Sequence, residues 1–170
     1  MMAISMFAAV GCKQKNAEET PQMSEMEKKV AEYAPFTLTT DLSVLSEKER
    51  QMIPIFIQIA DIMDDLYWEQ YFGTENRKAL DTLTDPAVKE FALIQYGGWD
   101  RLGEEKPFIP GIGERPKGCN FYPADMTVEE FEKLDNPEKN SQYTILQRAE
   151  DGSLTVVPYH VAYAEQLAKV

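Results

Sequence analysis

Three carboxylates with helical spacing are the first residues in this sequence that could do chemistry. Asp61, Asp65 and Glu69 recur every four residues inside an apolar repeat, and that spacing places them along one face of a helix. Such a stripe could hold a divalent cation or bind the amine of a substrate. The sequence supplies no further ligands beside it, so a solvated acidic face is the simpler interpretation.

Histidine and cysteine chemistry is restricted by how few of these residues there are. The chain has one histidine, His160, and two cysteines, Cys12 and Cys119. No base lies near Cys119 in the sequence, and a nucleophilic thiol needs one. We therefore expect Cys119 to be a buried or half-buried thiol, and His160 to be a capping or core-edge residue between a strand and a helix. Neither residue supports a self-contained hydrolase.

A long loop carries the polar residues that could bind a ligand. From Lys106 to Gly118 its prolines and glycines argue against regular structure, while its apolar side chains argue against disorder. One interpretation is a structural loop packed over a core, in which polar side chains bond the turn backbone. The other is the wall of a substrate cleft, faced by Asn120, Tyr122 and Asp125.

One helix should dominate the elements that position these residues. Ser46 and Glu49 form a capping box, and apolar residues then recur to Phe72 in two rows. We expect this helix to be the central core element, kinked near its start by Pro54 and ended by Gly73. The rows are Met52, Ile55, Ile59, Ile62 and Leu66, and Phe56, Ala60, Met63, Tyr67 and Tyr71.

The other elements are shorter and give an α+β fold, mainly helical with a small β-hairpin or sheet. A second capping box, Thr127 with Glu130, starts another helix, flanked by Met126 and Phe131 at the positions of a hydrophobic staple. Asp151 and Gly152 mark a hairpin turn. The remaining expectations are a helix over Ser24–Ala34, a strand over Phe36–Thr40, a helix from Asp85 and Pro86 that ends at Gly97 and Gly98, hairpin strands over Tyr143–Arg148 and Leu154–Val157, and a last helix over Tyr159–Val170.

Length and charge indicate one domain that does not bind nucleic acid. A chain of 170 residues can build a single core. Its net charge of −12 and pI near 4.5 repel nucleic acid phosphates and anionic lipid headgroups.

The first residues are typical of a bacterial lipoprotein. A short apolar run ends in Ala9, Val10, Gly11 and Cys12, although no lysine or arginine precedes it. We expect a signal peptide over residues 1–12, lipidation at Cys12 and a polar tether over residues 13–23. The protein would then be exported and anchored to the cell envelope by lipid alone.

Several short motifs resemble bacterial proteins of the dipeptidyl-peptidase III family. They are GWDRL at Gly98–Leu102, KPF at Lys106–Phe108, NFYPADMT at Asn120–Thr127 and PYH at Pro158–His160, with LTTDL at Leu38–Leu42 and MDDLYW at Met63–Trp68. The resemblance runs from about Tyr33 to the end of the chain.

The resemblance implies a two-lobed zinc peptidase that releases dipeptides from the N-termini of oligopeptides bound in a cleft between the lobes. Zinc would be held by two histidines of a His-Glu motif and a downstream glutamate, and this motif is absent here. Residues 24–170 therefore match the N-terminal portion of such an enzyme, with no catalytic residue or bound zinc of their own.

The sequence leaves two functions open. The chain is either an inactive N-terminal portion of the peptidase or a complete small envelope lipoprotein that binds peptides or proteins. The last helix has no capping residue, which favours the first. In that case we expect uncovered apolar surface on the last helix and the hairpin.

Overall fold

The structure is a computed structural model that describes residues 22–170. The predicted signal peptide, the lipidation site Cys12 and nearly all of the predicted tether over residues 13–23 lie outside the described residues. Within the described part, no helix is both long enough and apolar enough to cross a membrane.

The described residues form a mainly helical α+β fold, as the sequence predicts. The helices are α1 (Glu25–Ala31), α2 (Glu47–Tyr71), α3 (Thr74–Ala79), α4 (Pro86–Gln95), α5 (Val128–Lys133), α6 (Tyr159–Ala162) and α7 (Ala164–Leu167). Two antiparallel pairs complete the fold: β1 (Trp99–Asp100) with β2 (Lys106–Pro107), and β3 (Thr144–Arg148) with β4 (Leu154–Pro158).

Helix starts follow the sequence closely because their caps are local. Both predicted capping boxes form, Ser46 with Glu49 and Thr127 with Glu130. A third, Ser24 with Glu27, begins α1. In each box the cap hydroxyl accepts from a backbone amide in the first turn, and the glutamate accepts from the cap amide.

Several strands and helix ends differ from those predicted from the sequence. The strand predicted over Phe36–Thr40 is wrong: the segment is irregular and exposed, since no neighbouring strand pairs with it. Lys106–Pro107 is paired rather than irregular. Helix α4 ends before the predicted glycines, because Tyr96 adopts the left-handed conformation at φ 56°. The last helix is divided at Tyr163.

Two apolar clusters flank the second half of α2. The first joins α2, α4 and the turn at β1, and each of its members is at most 4% exposed. The second joins α2 to the hairpin and the last helices through Leu66, Ile145 and Tyr163. The members of the first cluster are Trp68, Phe72, Leu80, Ala92 and Trp99.

The first half of α2 is outside both clusters, which corrects the prediction of a helix buried along its length. Within α2 the buried residues are Leu66 and Trp68, both in its second half. Ile55 and Phe56, which the two predicted rows place in the core, are 56% and 57% exposed. The helix therefore extends beyond the residues that this chain packs around it.

The last helices and the hairpin also leave apolar side chains uncovered. Val161 on α6 and Tyr143 beside β3 are 55% and 75% exposed. Tyr163, between α6 and α7, is buried against the second cluster. This agrees with the expectation of incomplete cover at these elements.

Truncating one apolar residue in each half of α2 should cost different amounts of stability, because one half is covered and the other is exposed. Leu66→Ala leaves a cavity in the second cluster, so we expect the free energy of unfolding to fall by about 2–5 kcal/mol. Ile55→Ala removes a side chain that is already solvated, and we expect a loss below about 1 kcal/mol. Urea unfolding followed by circular dichroism measures both. Equal losses would contradict the division of α2 into covered and uncovered halves.

Candidate functional site

The turn after α4 holds the long loop in place through Trp99. The indole is 2% exposed and packs edge-on against Phe72 of α2. Its Nε1 donates to the carbonyl of Gly113, 2.9 Å away. The buried ring therefore fixes the middle of the loop to the first apolar cluster.

Asp100 links the same turn to α1. Its carboxylate is buried, accepts from Lys29 Nζ at 2.6 Å, and accepts from the amides of Leu102 and Gly103. Burial raises the pKa of this carboxyl, but the Lys29 and amide bonds favour the charged form more strongly, so the net pKa is lowered. Asp100 and its neighbour Arg101, which donates to Tyr67, therefore have separate partners.

Arg101 lies on a platform of three tyrosines that the sequence analysis did not identify. Its guanidinium is 4.4 Å from the ring centre of Tyr71 and lies within 6 Å of two other rings. Its Nη2 donates to the Tyr67 hydroxyl at 2.9 Å. Tyr67 and Tyr71 have the i, i+4 spacing of one helix face, but the third ring, Tyr96, comes from α4, and only the tertiary fold brings it there.

Tyr96 is fixed by a carboxylate of α2. Its hydroxyl donates to Asp64 at 2.7 Å. This bond raises the pKa of Tyr96, and burial acts in the same direction. The bond helps to explain why a tyrosine, rather than a glycine, occupies the left-handed position that ends α4.

Arg115 and Cys119 contact each other within the long loop. Cys119 is 7% exposed, which confirms the expectation of a buried thiol, and Arg115 Nη1 donates to its sulfur at 3.1 Å. The same guanidinium donates to Glu105 at 2.6 Å, and these two contacts raise the pKa of Arg115. Within residues 22–170, Arg115 Nε and the Tyr71 hydroxyl are buried without a hydrogen-bond partner.

Asn120 joins the loop to α2. Its side-chain amide donates to the Glu69 carbonyl at 2.7 Å. The approach is close to Gly73, whose φ of 92° suits glycine. In this structure Asn120 therefore contacts the backbone of α2 rather than that of its own turn.

Tyr122 borders an open groove between the loop and α5. Its ring packs edge-on against Phe131, and a Cβ at Gly118 would overlap it. The groove has a volume of about 450 Å³ and continues into an apolar depression of about 210 Å³. It is lined by Pro116, Lys117, Gly118, Tyr122, Pro123, Ala124, Met126 and Val128, and we call it the Tyr122 groove.

Asp125 turns toward the hairpin. Arg148 Nη2 lies 3.2 Å from Asp125, and Arg148 Nη1 lies 2.8 Å from Glu130. Asn120, Tyr122 and Asp125 thus share one loop but have three separate sets of neighbours. Their roles in a substrate cleft stay predictions, and Tyr122 is the one of the three that lines a groove.

The acidic stripe of α2 is divided among different partners. Asp65 accepts from Arg77 at 2.6 Å, and Glu69 accepts from Gln166 at 3.2 Å. His160 is exposed at a separate depression beside the hairpin. Among residues 22–170, no three His, Cys, Asp or Glu side chains are grouped as a metal site. These residues do not fit a zinc centre.

Comparisons with known proteins relate the chain to a peptidase. No family model matches it. The structure of dipeptidyl-peptidase III from Corallococcus sp. strain EGB matches 85% of this chain and 29% of its own, with a TM-score of 0.76 and 30% identity. Nudix hydrolase 3 of Arabidopsis thaliana is 27% identical and matches 62% of this chain and 18% of its own.

Both relatives are much longer than the part that matches. The chain spans less than a third of the dipeptidyl-peptidase III chain and less than a fifth of the Arabidopsis protein. Because the match covers so small a share of the Arabidopsis protein, it does not show that the matched stretch has the activity in that protein's name. The described residues have the fold of one part of a bacterial dipeptidyl-peptidase III.

Neutralising Asp100 should loosen the turn that holds the loop. Asp100→Asn keeps a side-chain oxygen for the amides of Leu102 and Gly103 but removes the charge that faces Lys29. Hydrogen bonds to charged groups contribute about 1.5–3 kcal/mol, so we expect a loss of that size in urea unfolding. Asp61→Asn, on an exposed carboxylate of α2, is the matched control and should be neutral. Equal effects would argue against a special role for Asp100.

The Glu130–Arg148 pair should make stability depend on acid pH. Hydrogen bonding to Arg148 lowers the pKa of Glu130 from its ordinary 4.5 to about 2. Because the folded pKa is below the unfolded one, the pair stabilises the fold above about pH 4.5 and loses this effect as the pH falls toward 2. Glu130→Gln keeps a capping-box side chain but removes the charge. We expect it to lower the melting temperature by a few degrees at pH 7 and by progressively less toward pH 2.

The control for this measurement is Glu129→Gln, which changes an exposed glutamate in the same helical turn. It should leave the difference from the native chain almost independent of pH. A pH-independent loss in Glu130→Gln would mean that the carboxylate does not stabilise the fold through Arg148.

Proposed function

We propose that this chain is the N-terminal part of an exported dipeptidyl-peptidase that releases dipeptides from the N-termini of oligopeptides. The observation that carries the proposal is the match to a bacterial dipeptidyl-peptidase III over 85% of the chain, at 30% identity and a TM-score of 0.76. The motifs GWDRL and NFYPADMT lie in the turn and loop described above. The catalytic residues would lie outside this chain.

The contribution of this part would be a wall of the substrate cleft. Trp99 and Asn120 hold the loop in place, so we expect the Tyr122 groove to keep its shape when a peptide binds. Tyr122 offers a ring and a hydroxyl, the combination that suits an apolar peptide side chain beside a polar backbone. The net charge of −12 would attract the ammonium group at a peptide N-terminus.

Zinc belongs to this proposal only through the longer protein. The donor set of residues 22–170 does not fit the metal, so its ligands would come from the part of the enzyme that this chain does not contain. Lipid on Cys12 would place that enzyme at the cell envelope, with the tether separating it from the membrane surface.

The test is to isolate the native product that carries this sequence, with an antibody raised against the 170-residue chain. We expect a product several times heavier than 19.4 kDa that releases dipeptides from fluorogenic dipeptidyl amides and loses this activity with a chelator. Tyr122→Ala in that product should raise KM roughly tenfold, equivalent to about 1.4 kcal/mol of binding. Tyr143→Ala, an exposed tyrosine outside the groove, should not.

A complete small lipoprotein that binds peptides is the second candidate, and the open Tyr122 groove is the observation that favours it. In that case the native product has a mass near 19 kDa and releases no dipeptides. Calorimetry should then detect peptide binding to the chain itself, weakened by Tyr122→Ala. A product of that size without peptide binding would falsify both functions.

A further inference from the structure

The uncovered half of α2 exposes more apolar side chains than a surface helix normally does. Met52, Ile55, Phe56, Ile57 and Met63 are each 41–57% exposed. They follow one another within about three turns of a single helix. Isolated apolar residues on a surface need no explanation, but a contiguous set of this kind marks an interaction site. We call these five residues the α2 apolar surface.

The width of this surface limits what could cover it. At 100° per residue, the five side chains of this surface span an arc of about 200°. Gln58 and Asp61 lie in the polar strip on the opposite side of the helix. A helix that packs by one face needs an apolar stripe of roughly 100°, whereas one that is apolar on most sides is enclosed by its neighbours. One flat partner would therefore leave part of this surface in water.

The segment that leads into α2 repeats the pattern. Phe36, Leu38 and Val44 are 84%, 86% and 78% exposed, and the chain from residue 36 to residue 41 is irregular. This segment precedes the cap of α2, Ser46, directly in the chain. Two consecutive segments of the chain, this one and the first half of α2, therefore expose large apolar side chains.

The comparison with dipeptidyl-peptidase III indicates which polypeptide would cover these segments. That protein shares the fold of this chain but is more than three times as long as the matched part. A second copy of this chain is a weaker occupant, because a two-fold contact buries one patch against its equivalent and does not enclose a helix over an arc of about 200°.

We propose that the α2 apolar surface is enclosed by the remainder of a longer polypeptide, the part that corresponds to the unmatched portion of dipeptidyl-peptidase III. This inference rests on the proposed function in one respect, since it takes the chain to be part of a longer protein. Helix α2 then belongs to two cores. Its second half packs in the core built here, and its first half packs in the core of the remainder.

The experiment compares paired substitutions in two proteins, the 170-residue chain and the full native product. Ile55→Asp with Phe56→Asp places charge on the apolar surface. Gln51→Asp with Gln58→Asp places the same charge on the polar strip of the same helix and is the matched control. Melting temperatures are measured for both pairs in both proteins.

In the 170-residue chain we expect both pairs to shift the melting temperature by less than about 4 °C, because all four side chains are already exposed. In the full product the apolar pair should lower it by roughly 10 °C or more, while the control pair stays near the native value. If the apolar pair prevents folding, hydrogen exchange of the native proteins provides the second measurement. Amides of residues 47–63 should exchange at least about tenfold more slowly in the full product.

Three results would overturn the proposal. The native product could have the length of this chain alone, the apolar pair could be tolerated in a longer product whose amides show no added protection, or light scattering could show a dimer of the 170-residue chain that the apolar pair dissociates. The last result would assign the surface to a second copy. Dipeptide release is measured separately. If the amides of α2 are protected in the full product but no dipeptides are released, only the proposed function is rejected. If dipeptides are released but α2 tolerates the apolar pair without added protection, only this inference is rejected.

Discussion

Helix α2 is longer than the core that this chain builds around it, and the rest of the structure depends on that mismatch. Its 25 residues extend about 38 Å, but the two apolar clusters cover only its second half. There the helix presents Trp68 and Phe72 to one cluster and Leu66 to the other. The long loop, the hairpin and the last helices are all arranged around this half.

The turn after α4 connects these helices to the long loop. Trp99 is buried against α2, Asp100 bonds Lys29 of α1, and Arg101 rests on the tyrosines of α2 and α4. Three consecutive residues therefore tie three helices to one turn. A loop rich in proline and glycine keeps a defined shape because Trp99 bonds its middle and its own Asn120 bonds α2.

This organisation agrees with a scaffold role in a larger enzyme. The described residues hold a shaped loop and a groove beside Tyr122, but they do not group the ligands that zinc hydrolysis requires. Chemistry and positioning would then be divided between different parts of one polypeptide. The exposed half of α2 is where those parts would join.

The sequence by itself determined the local features of this protein. Capping boxes such as Ser46 with Glu49 and the hairpin turn at Gly152 follow from neighbouring residues, and neighbours are visible in a sequence. The tertiary structure decided the features that depend on distant partners. Helical periodicity shows that α2 has apolar faces, but cover over Ile55 requires polypeptide from elsewhere. Similarly, Arg101 lies on Tyr96 because α2 and α4 pack together, and no spacing in the sequence specifies that contact.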